Sequence, residues 1–119
     1  ETKVAYSTCV TAMNMEADAI VCYTNSGDSA RKLAGLGAGC PILAITDNRR
    51  TFNQLALAWN VTPVYVEKND NIDTTVENGI KKLQDKGILE KGDTIVISGG
   101  SSILPNAEES KVVASVAKI

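Results

Sequence analysis

Residues 19–31 of this chain read AIVCYTNSGDSAR, and this stretch decides the fold. The apolar run of residues 19–23 is typical of a buried parallel strand, and Ala30 begins the apolar spacing of a helix. Between them, residues 24–29 form a loop rich in hydroxyl groups. In an open α/β sheet, such a loop lies where helix N–H groups and the helix dipole favour an anion. We therefore interpret the loop as a candidate phosphate site.

The same loop is compatible with a plainer role. Ser26 or Ser29 would only cap the helix, as serine often does at a helix start. Asp28 counts against an anion, because a carboxylate a few ångströms from a phosphate repels it. The residues by themselves leave both interpretations open.

The other apolar patterns predict helices alternating with strands. The predicted strands are Ala19–Tyr23, Pro41–Thr46, Val61–Val66, Thr94–Ser98 and Val112–Ala117. The predicted buried faces of the four helices, in chain order, are Ala5, Cys9, Ala12 and Met13; Ala30, Leu33, Ala34 and Gly37; Phe52, Leu55, Ala56 and Trp59; and Ile72, Val76, Ile80 and Leu83. Gly37, Asn60 and Gly87 are placed to end helices.

This order predicts an α/β fold, a three-layer α/β/α sandwich formed by residues 1–119 as a single domain. Right-handed crossovers give a five-stranded, mostly parallel sheet in the order 3-2-1-4-5. Pro63 cannot donate to a strand ladder, so the third strand is expected at the edge. Residues 99–110 have no periodicity and predict a mobile connection. No helix precedes the last strand, which is therefore expected to be antiparallel.

Composition excludes several classes of function. A net charge of −2 gives no basic surface for nucleic acid. Neither a membrane-length apolar run nor a secretory leader is present, so a cytoplasmic chain is expected. The three cysteines have no C-x-x-C spacing and predict buried free thiols rather than a disulfide frame or a metal site. Histidine is absent, which excludes Ser-His and Cys-His chemistry.

Familiar nucleotide-binding and signalling motifs are also missing. There is no Walker loop, and the glycines of residues 35–39 follow a helix rather than a strand, so they end that helix. A phosphorelay receiver needs clustered acids at strand ends, which this chain does not have. No titratable pair is positioned for an independent small enzyme.

Four segments together resemble the C-terminal domain of pyruvate kinase, and the match runs over nearly the whole chain. They are residues 24–31 (TNSGDSAR), 40–46 (CPILAIT), 54–64 (QLALAWNVTPV) and 87–94 (GILEKGDT). Each is common alone, but their order and spacing are specific. The W-x-V-T-P portion is most similar to bacterial members.

The resemblance implies a domain that follows a catalytic barrel, packs in a tetramer and binds a sugar-phosphate or other phosphorylated effector. Carried over, it places Thr24, Asn25, Ser26, Gly27 and Ser29 around one phosphate. No cofactor is implied on this domain, since the Mg²⁺ and K⁺ of the family belong to the barrel. No catalytic residue is implied here either.

The sequence departs from relatives that bind fructose bisphosphate. Those relatives hold the second phosphate with basic residues on the helix after the third strand and in the loop before the last strand. Here the helix has Thr74 and Thr75, and the loop has Glu108 and Glu109 but no lysine or arginine. A monophosphate effector or a silent site is thus at least as compatible with this chain.

A free-standing domain of the same fold, which binds a small anion or a protein without catalysis, is the alternative. An apolar stripe on the first helix, beyond what the core of the domain needs, would favour the domain that packs in a tetramer over the free-standing one.

Overall fold

The computed structural model describes residues 2–37, 39–98, 108–109 and 114–118. The helices are α1 (Thr2–Asn14), α2 (Asp28–Leu36), α3 (Arg49–Leu55) and α4 (Ile72–Asp85). The strands are β1 (Ala19–Tyr23), β2 (Ile42–Thr46), β3 (Val61–Tyr65), β4 (Thr94–Ser98), β5 (Glu108–Glu109) and β6 (Ala114–Lys118).

The strands form one sheet in the order β3-β2-β1-β4-β6-β5. Strands β1 to β4 are parallel, and β6 is antiparallel to β4. This confirms the predicted order 3-2-1-4-5, in which the predicted fifth strand is β6. Val21 of β1 pairs with Leu43 on one side and Ile97 on the other. The strand order therefore reverses beside β1, which is where α/β sheets of this type bind ligands.

One strand differs from the prediction. Residues 99–110 were expected to be a connection, but Glu108 and Glu109 form β5 and pair with Val116 and Ser115 of β6. Two residues are too few to show a period-2 pattern, so the sequence does not reveal this strand. The rest of the predicted connection lies outside the described residues.

Two apolar cores lie on opposite faces of the sheet. Side chains of α1, α2 and α3 pack on one face, with Ile20 and Cys22 of β1. Side chains of α4 pack on the other face, with Ala19 and Val21. Because successive strand residues point to opposite faces, an apolar β1 needs cover on both. This is the predicted α/β/α sandwich, and the cysteines Cys9, Cys22 and Cys40 are free and buried in it, as predicted.

Helix α4 lies close to the sheet at Gly79. A β-carbon at this position would lie 2.5 Å from Cδ1, 2.6 Å from Cγ1 and 2.8 Å from Cγ2 of Ile45. Ile45 is completely buried in β2 and has no free space to move into. The absence of a side chain at Gly79 thus sets the distance between α4 and the sheet.

Three large side chains that the sequence placed in the core are exposed, Met13 (59 %), Trp59 (79 %) and Ile72 (56 %), and so are Gly37 and Ala56 of the predicted buried faces. Helix α3 ends at Leu55, so Trp59 lies in the turn before β3 and not on the helix face. Met13 lies at the border of the buried face of α1, about 40° around the helix from Cys9 and about 100° from Ala12. Ile72 is the first residue of α4. These predictions were wrong, because each depended on where a helix face begins or ends.

Candidate functional site

The loop between β1 and α2 is shaped by Thr24 and Gly27. The Gly27 N–H donates to the Thr24 hydroxyl oxygen over 2.8 Å, and Gly27 has a φ of 93°. A residue with a β-carbon is strained at this φ, and its β-carbon would lie 3.0 Å from Nη1 of Arg31. Thr24 is 5 % exposed, so its side chain fixes the turn from inside.

The predicted site residues lie together on this one turn. Thr24 and Gly27 are buried, whereas Asn25, Ser26 and Ser29 are exposed to solvent. The five residues therefore divide into two that shape the loop and three that are accessible to a solute.

The start of α2 differs from the starts of α3 and α4. Asn48 caps α3 and Asn71 caps α4 through their side-chain oxygens, whereas α2 begins at Gly27 without a side-chain cap. Ser26 Oγ accepts from the Asp28 N–H over 3.3 Å, so the capping interpretation holds for one N–H group. The first turn of a helix has several N–H groups without helical partners, and these favour an anion.

The negative charge of Asp28 is balanced by Arg31. Nη1 of Arg31 lies 3.4 Å from Oδ1 of Asp28 and 3.4 Å from the Ser26 carbonyl oxygen, to which it donates. Both side chains are well exposed, so the pair contributes little to stability. Its effect is electrostatic. The charge of the Asp28 carboxylate would repel an anion at the loop, and the Arg31 guanidinium balances that charge. The i, i+3 spacing of Asp28 and Arg31 is the sequence signal for this contact.

Helix α3 holds the loop from the side. The Thr51 hydroxyl donates to the Asn25 carbonyl oxygen, and Nδ2 of Asn48 lies 3.4 Å from Oδ1 of Asn25. The sequence did not predict Asn48 and Thr51 as partners of the loop. They follow β2, and only the pairing of β2 with β1 brings them close to Asn25.

Asp47 contacts Tyr23 across the ends of β1 and β2. The Tyr23 hydroxyl lies 3.1 and 3.2 Å from the two carboxylate oxygens of Asp47, to which it donates. Burial raises the pKa of Tyr23, and the charge and hydrogen bond of Asp47 raise it further. Asp47 is thus engaged with a neutral phenol beside the loop.

The sequence has no lysine or arginine at the positions that the resemblance assigns to a second phosphate, Thr74 and Thr75 of α4 and residues 99–110. Thr75 is 1 % exposed, and its hydroxyl donates to the Asn71 carbonyl oxygen. Glu108 and Glu109 form β5, which two strands separate from β1. Neither Thr75 nor β5 therefore supplies the basic side chains that the sequence lacks at these positions.

Helix α1 exposes an apolar stripe on its outer side. Tyr6 is 63 % exposed, Val10 36 % and Met13 59 %. Their spacing of four and three residues places them on one helix face, which borders the buried face of Cys9 and Ala12. These side chains do not fill the core of the domain itself. Such a stripe on α1 is the feature that would favour a role in subunit assembly.

Within the described ranges, no helix has the length and apolar character needed to cross a membrane. The same residues bring no three carboxylate or thiol side chains together in a metal-binding arrangement.

The fold and the loop define an α/β domain with a solute-accessible helix start at the switch point of its sheet. A family described as "Pyruvate kinase, alpha/beta domain" matches residues 2–113. The chain belongs to this family, which confirms the resemblance seen in its sequence segments.

Individual relatives agree with this assignment. The chain is 29 % identical over 97 residues to a pyruvate kinase of Clostridium acetobutylicum, covering 82 % of this chain and 20 % of that protein. It is 33 % identical over 98 residues to a pyruvate kinase of Bacillus licheniformis, covering 82 % and 17 %. The fold is similar to that of a pyruvate kinase from Cryptosporidium parvum, with a TM-score of 0.80 at 17 % identity, covering 98 % of this chain and 22 % of that one. The chain thus spans about a fifth of the length of these relatives.

Proposed function

We propose that this chain is the C-terminal regulatory and subunit-assembly domain of a pyruvate kinase. The parent enzyme would transfer the phosphoryl group of phosphoenolpyruvate to ADP in glycolysis, in the cytoplasm. That chemistry, with its Mg²⁺ and K⁺, would belong to a barrel in the rest of the parent chain. The part assigned to this chain is to bind a phosphorylated effector and to hold subunits of a tetramer together.

One observation carries the regulatory part of this proposal: the start of α2 is exposed, its N-cap residue is a glycine, and Ser26 accepts from only one of its first N–H groups. Thr24 and Gly27 hold the turn, while Ser26, Ser29 and the first N–H groups of α2 are the donors for one phosphate group. Arg31 balances the Asp28 carboxylate at the same turn. A phosphate would therefore meet hydrogen-bond donors there, and the Asp28 carboxylate at the same turn is balanced by a cation.

The fold favours an effector with a single phosphate. Thr75 is buried and engaged with its own helix, and β5 is separated from the loop by two strands. A second phosphate would thus find no cation at either position. We expect a sugar monophosphate to bind this domain about as tightly as fructose 1,6-bisphosphate.

Isothermal titration calorimetry of this chain with glucose 6-phosphate and with fructose 1,6-bisphosphate tests the site. The double variant Ser26→Ala, Ser29→Ala should lose measurable binding and keep its circular dichroism spectrum. Asn53→Ala, an exposed polar change on α3, is the matched control and should bind like the unchanged chain. Unchanged affinity in the double variant would remove the loop from the proposal. A bisphosphate that binds more than about tenfold tighter (~1.4 kcal/mol) would show that the second phosphate is held, and would refute the expected equal affinity.

The assembly part rests on the stripe Tyr6, Val10 and Met13 of α1. Exposed apolar side chains at helical spacing are typical of a face that another helix covers. In a symmetric assembly the same stripe of a second subunit is a self-complementary partner. We therefore assign α1 to the contact between subunits.

A further inference from the structure

Strand β3 forms one edge of the sheet, with β2 as its neighbour on the inner side. An edge strand turns backbone N–H and C=O groups outward, where they can pair with a strand of another chain. The composition of this segment favours such pairing, because residues 51–66 contain no Asp, Glu, Lys or Arg and β3 is rich in valine and threonine. Contact between two copies of this chain through their sheets would therefore start at this edge.

The backbone of β3 shows which residues face outward. The Asn60 carbonyl oxygen accepts from the Ile42 N–H over 3.2 Å. The Val66 N–H donates to the Thr46 carbonyl oxygen over 3.0 Å. Because the N–H and C=O groups of alternate strand residues point to the same side, the even-numbered residues face β2 and the odd-numbered residues face away from it. The outward-facing residues of β3 are Val61, Pro63 and Tyr65.

Pro63 occupies the middle of this outward-facing set. Proline has no backbone N–H, so the residue cannot donate a hydrogen bond to an added strand. The outward N–H groups on either side of it, those of Val61 and Tyr65, are four residues apart, or about 13 Å at ~3.3 Å per residue. An added strand would therefore find no donor at the centre of the edge.

Two cations lie at the carboxyl end of β3. Nζ of Lys82, on α4, donates to the Tyr65 carbonyl oxygen over 2.7 Å. The Arg49 guanidinium lies 4.0 Å from the centre of the Tyr65 ring. Since α3 and α4 pack on opposite faces of the sheet, the two cations reach the strand end from both sides. An added strand would have to displace Lys82 from its acceptor.

We propose that Pro63 and Lys82 close the edge of β3 to the addition of a strand from a second copy of this chain. Pro63 removes a central donor, and Lys82 occupies the acceptor two residues further along. Proline and lysine are the residue types with which natural sheets protect their edges. The inference is independent of the proposed function, because it requires neither an effector nor a parent enzyme.

Sedimentation equilibrium of the double variant Pro63→Val, Lys82→Gln tests the inference. All chains carry Val10→Lys, so that association through α1 does not contribute. The double variant should self-associate at least about tenfold more tightly than the unchanged edge and gain the infrared band of intermolecular β-sheet. Thr62→Val, Lys81→Gln is the matched control. It makes the same change in charge, but Thr62 faces β2 and Lys81 is an exposed neighbour of Lys82, so association should not increase.

A double variant that keeps its circular dichroism spectrum and associates no more than the control would overturn the inference. Association without new intermolecular β-sheet would overturn it too, because another surface would then make the contact. Lys82→Gln alone changes only an exposed side chain, and it provides the test if Pro63→Val destabilises the chain. It should increase association about threefold, whereas Lys81→Gln should not. If Lys82 served only to balance the dipole of α4, its replacement would lower the unfolding midpoint and leave association unchanged.

Discussion

Replacing Gly79 with alanine is the sharpest test of how α4 packs on the sheet. The new β-carbon would lie 2.5 to 2.8 Å from three carbons of Ile45, well inside contact distance. Ile45 is completely buried, so relief requires α4 or β2 to move, and such overpacking costs about 1–3 kcal/mol. Alanine regains up to about 1 kcal/mol of helix propensity. We expect a net loss of about 1 kcal/mol, which corresponds to a melting temperature lower by about 4 °C.

Gly35 of α2 is the matched control. A β-carbon there would meet nothing within 4 Å, and the residue is exposed. Gly35→Ala should therefore stabilise the chain by up to about 1 kcal/mol through helix propensity alone. Urea denaturation followed by circular dichroism measures both variants. A Gly79→Ala chain as stable as the Gly35→Ala chain would refute the packing argument.

The double variant Gly79→Ala, Ile45→Ala isolates the contact itself. Ile45→Ala alone removes the three contacting carbons and should cost about 2–5 kcal/mol. Because the alanine at position 79 then enters the space that Ile45 vacates, the double variant should be less destabilised than the sum of the single variants, by about 2 kcal/mol. Strict additivity would show that the two positions do not touch.

Asn71→Ala removes the side-chain cap of α4 and should lower the free energy of unfolding by about 1 kcal/mol in urea, and an unchanged midpoint would contradict this role. Val10→Lys should weaken self-association at least tenfold in sedimentation equilibrium, whereas Asn53→Lys on α3 should not. Burial raises the pKa of Cys22 to about 12, so the folded chain keeps this thiol neutral while the unfolded chain ionises it near 9.0. Stability should therefore be constant below pH 9 and fall at higher pH by about 1.4 kcal/mol per unit from this group, and Cys22→Ala should remove that part of the slope.

The order of elements was readable from the sequence because it depends on local patterns. The apolar run of residues 19–23 and the helical spacing of Val76, Ile80 and Leu83 predict their elements without any contact information. Gly37 ends α2 with a φ of 67°, as glycine favours. Asn60, which was predicted to end the third helix, has a φ of 59° but lies in the turn before β3, because α3 already ends at Leu55. The two-residue strand β5 has no such pattern, and only its pairing with β6 defines it.

The candidate site was readable only in part. The hydroxyls and glycine of the loop indicate an anion site, and the spacing of Asp28 and Arg31 allows their pairing. The contacts of Asn25 with α3 were not predictable, because Asn48 and Thr51 are more than 20 residues away along the chain. Exposure of Trp59 was missed for a related reason: apolar spacing continues past the point where α3 stops.

The sequence by itself determined the alternating helices and strands, the sheet order, the buried free cysteines and the place of the polar loop, because periodicity and turn chemistry act over a few residues. The tertiary structure alone decided the fit of Gly79 against Ile45, the hold of α3 on the loop and the exposed apolar stripe of α1. These features depend on distances between segments far apart in sequence, and on where packing leaves an apolar side chain uncovered. An apolar residue shows the same pattern whether its own core or a partner buries it.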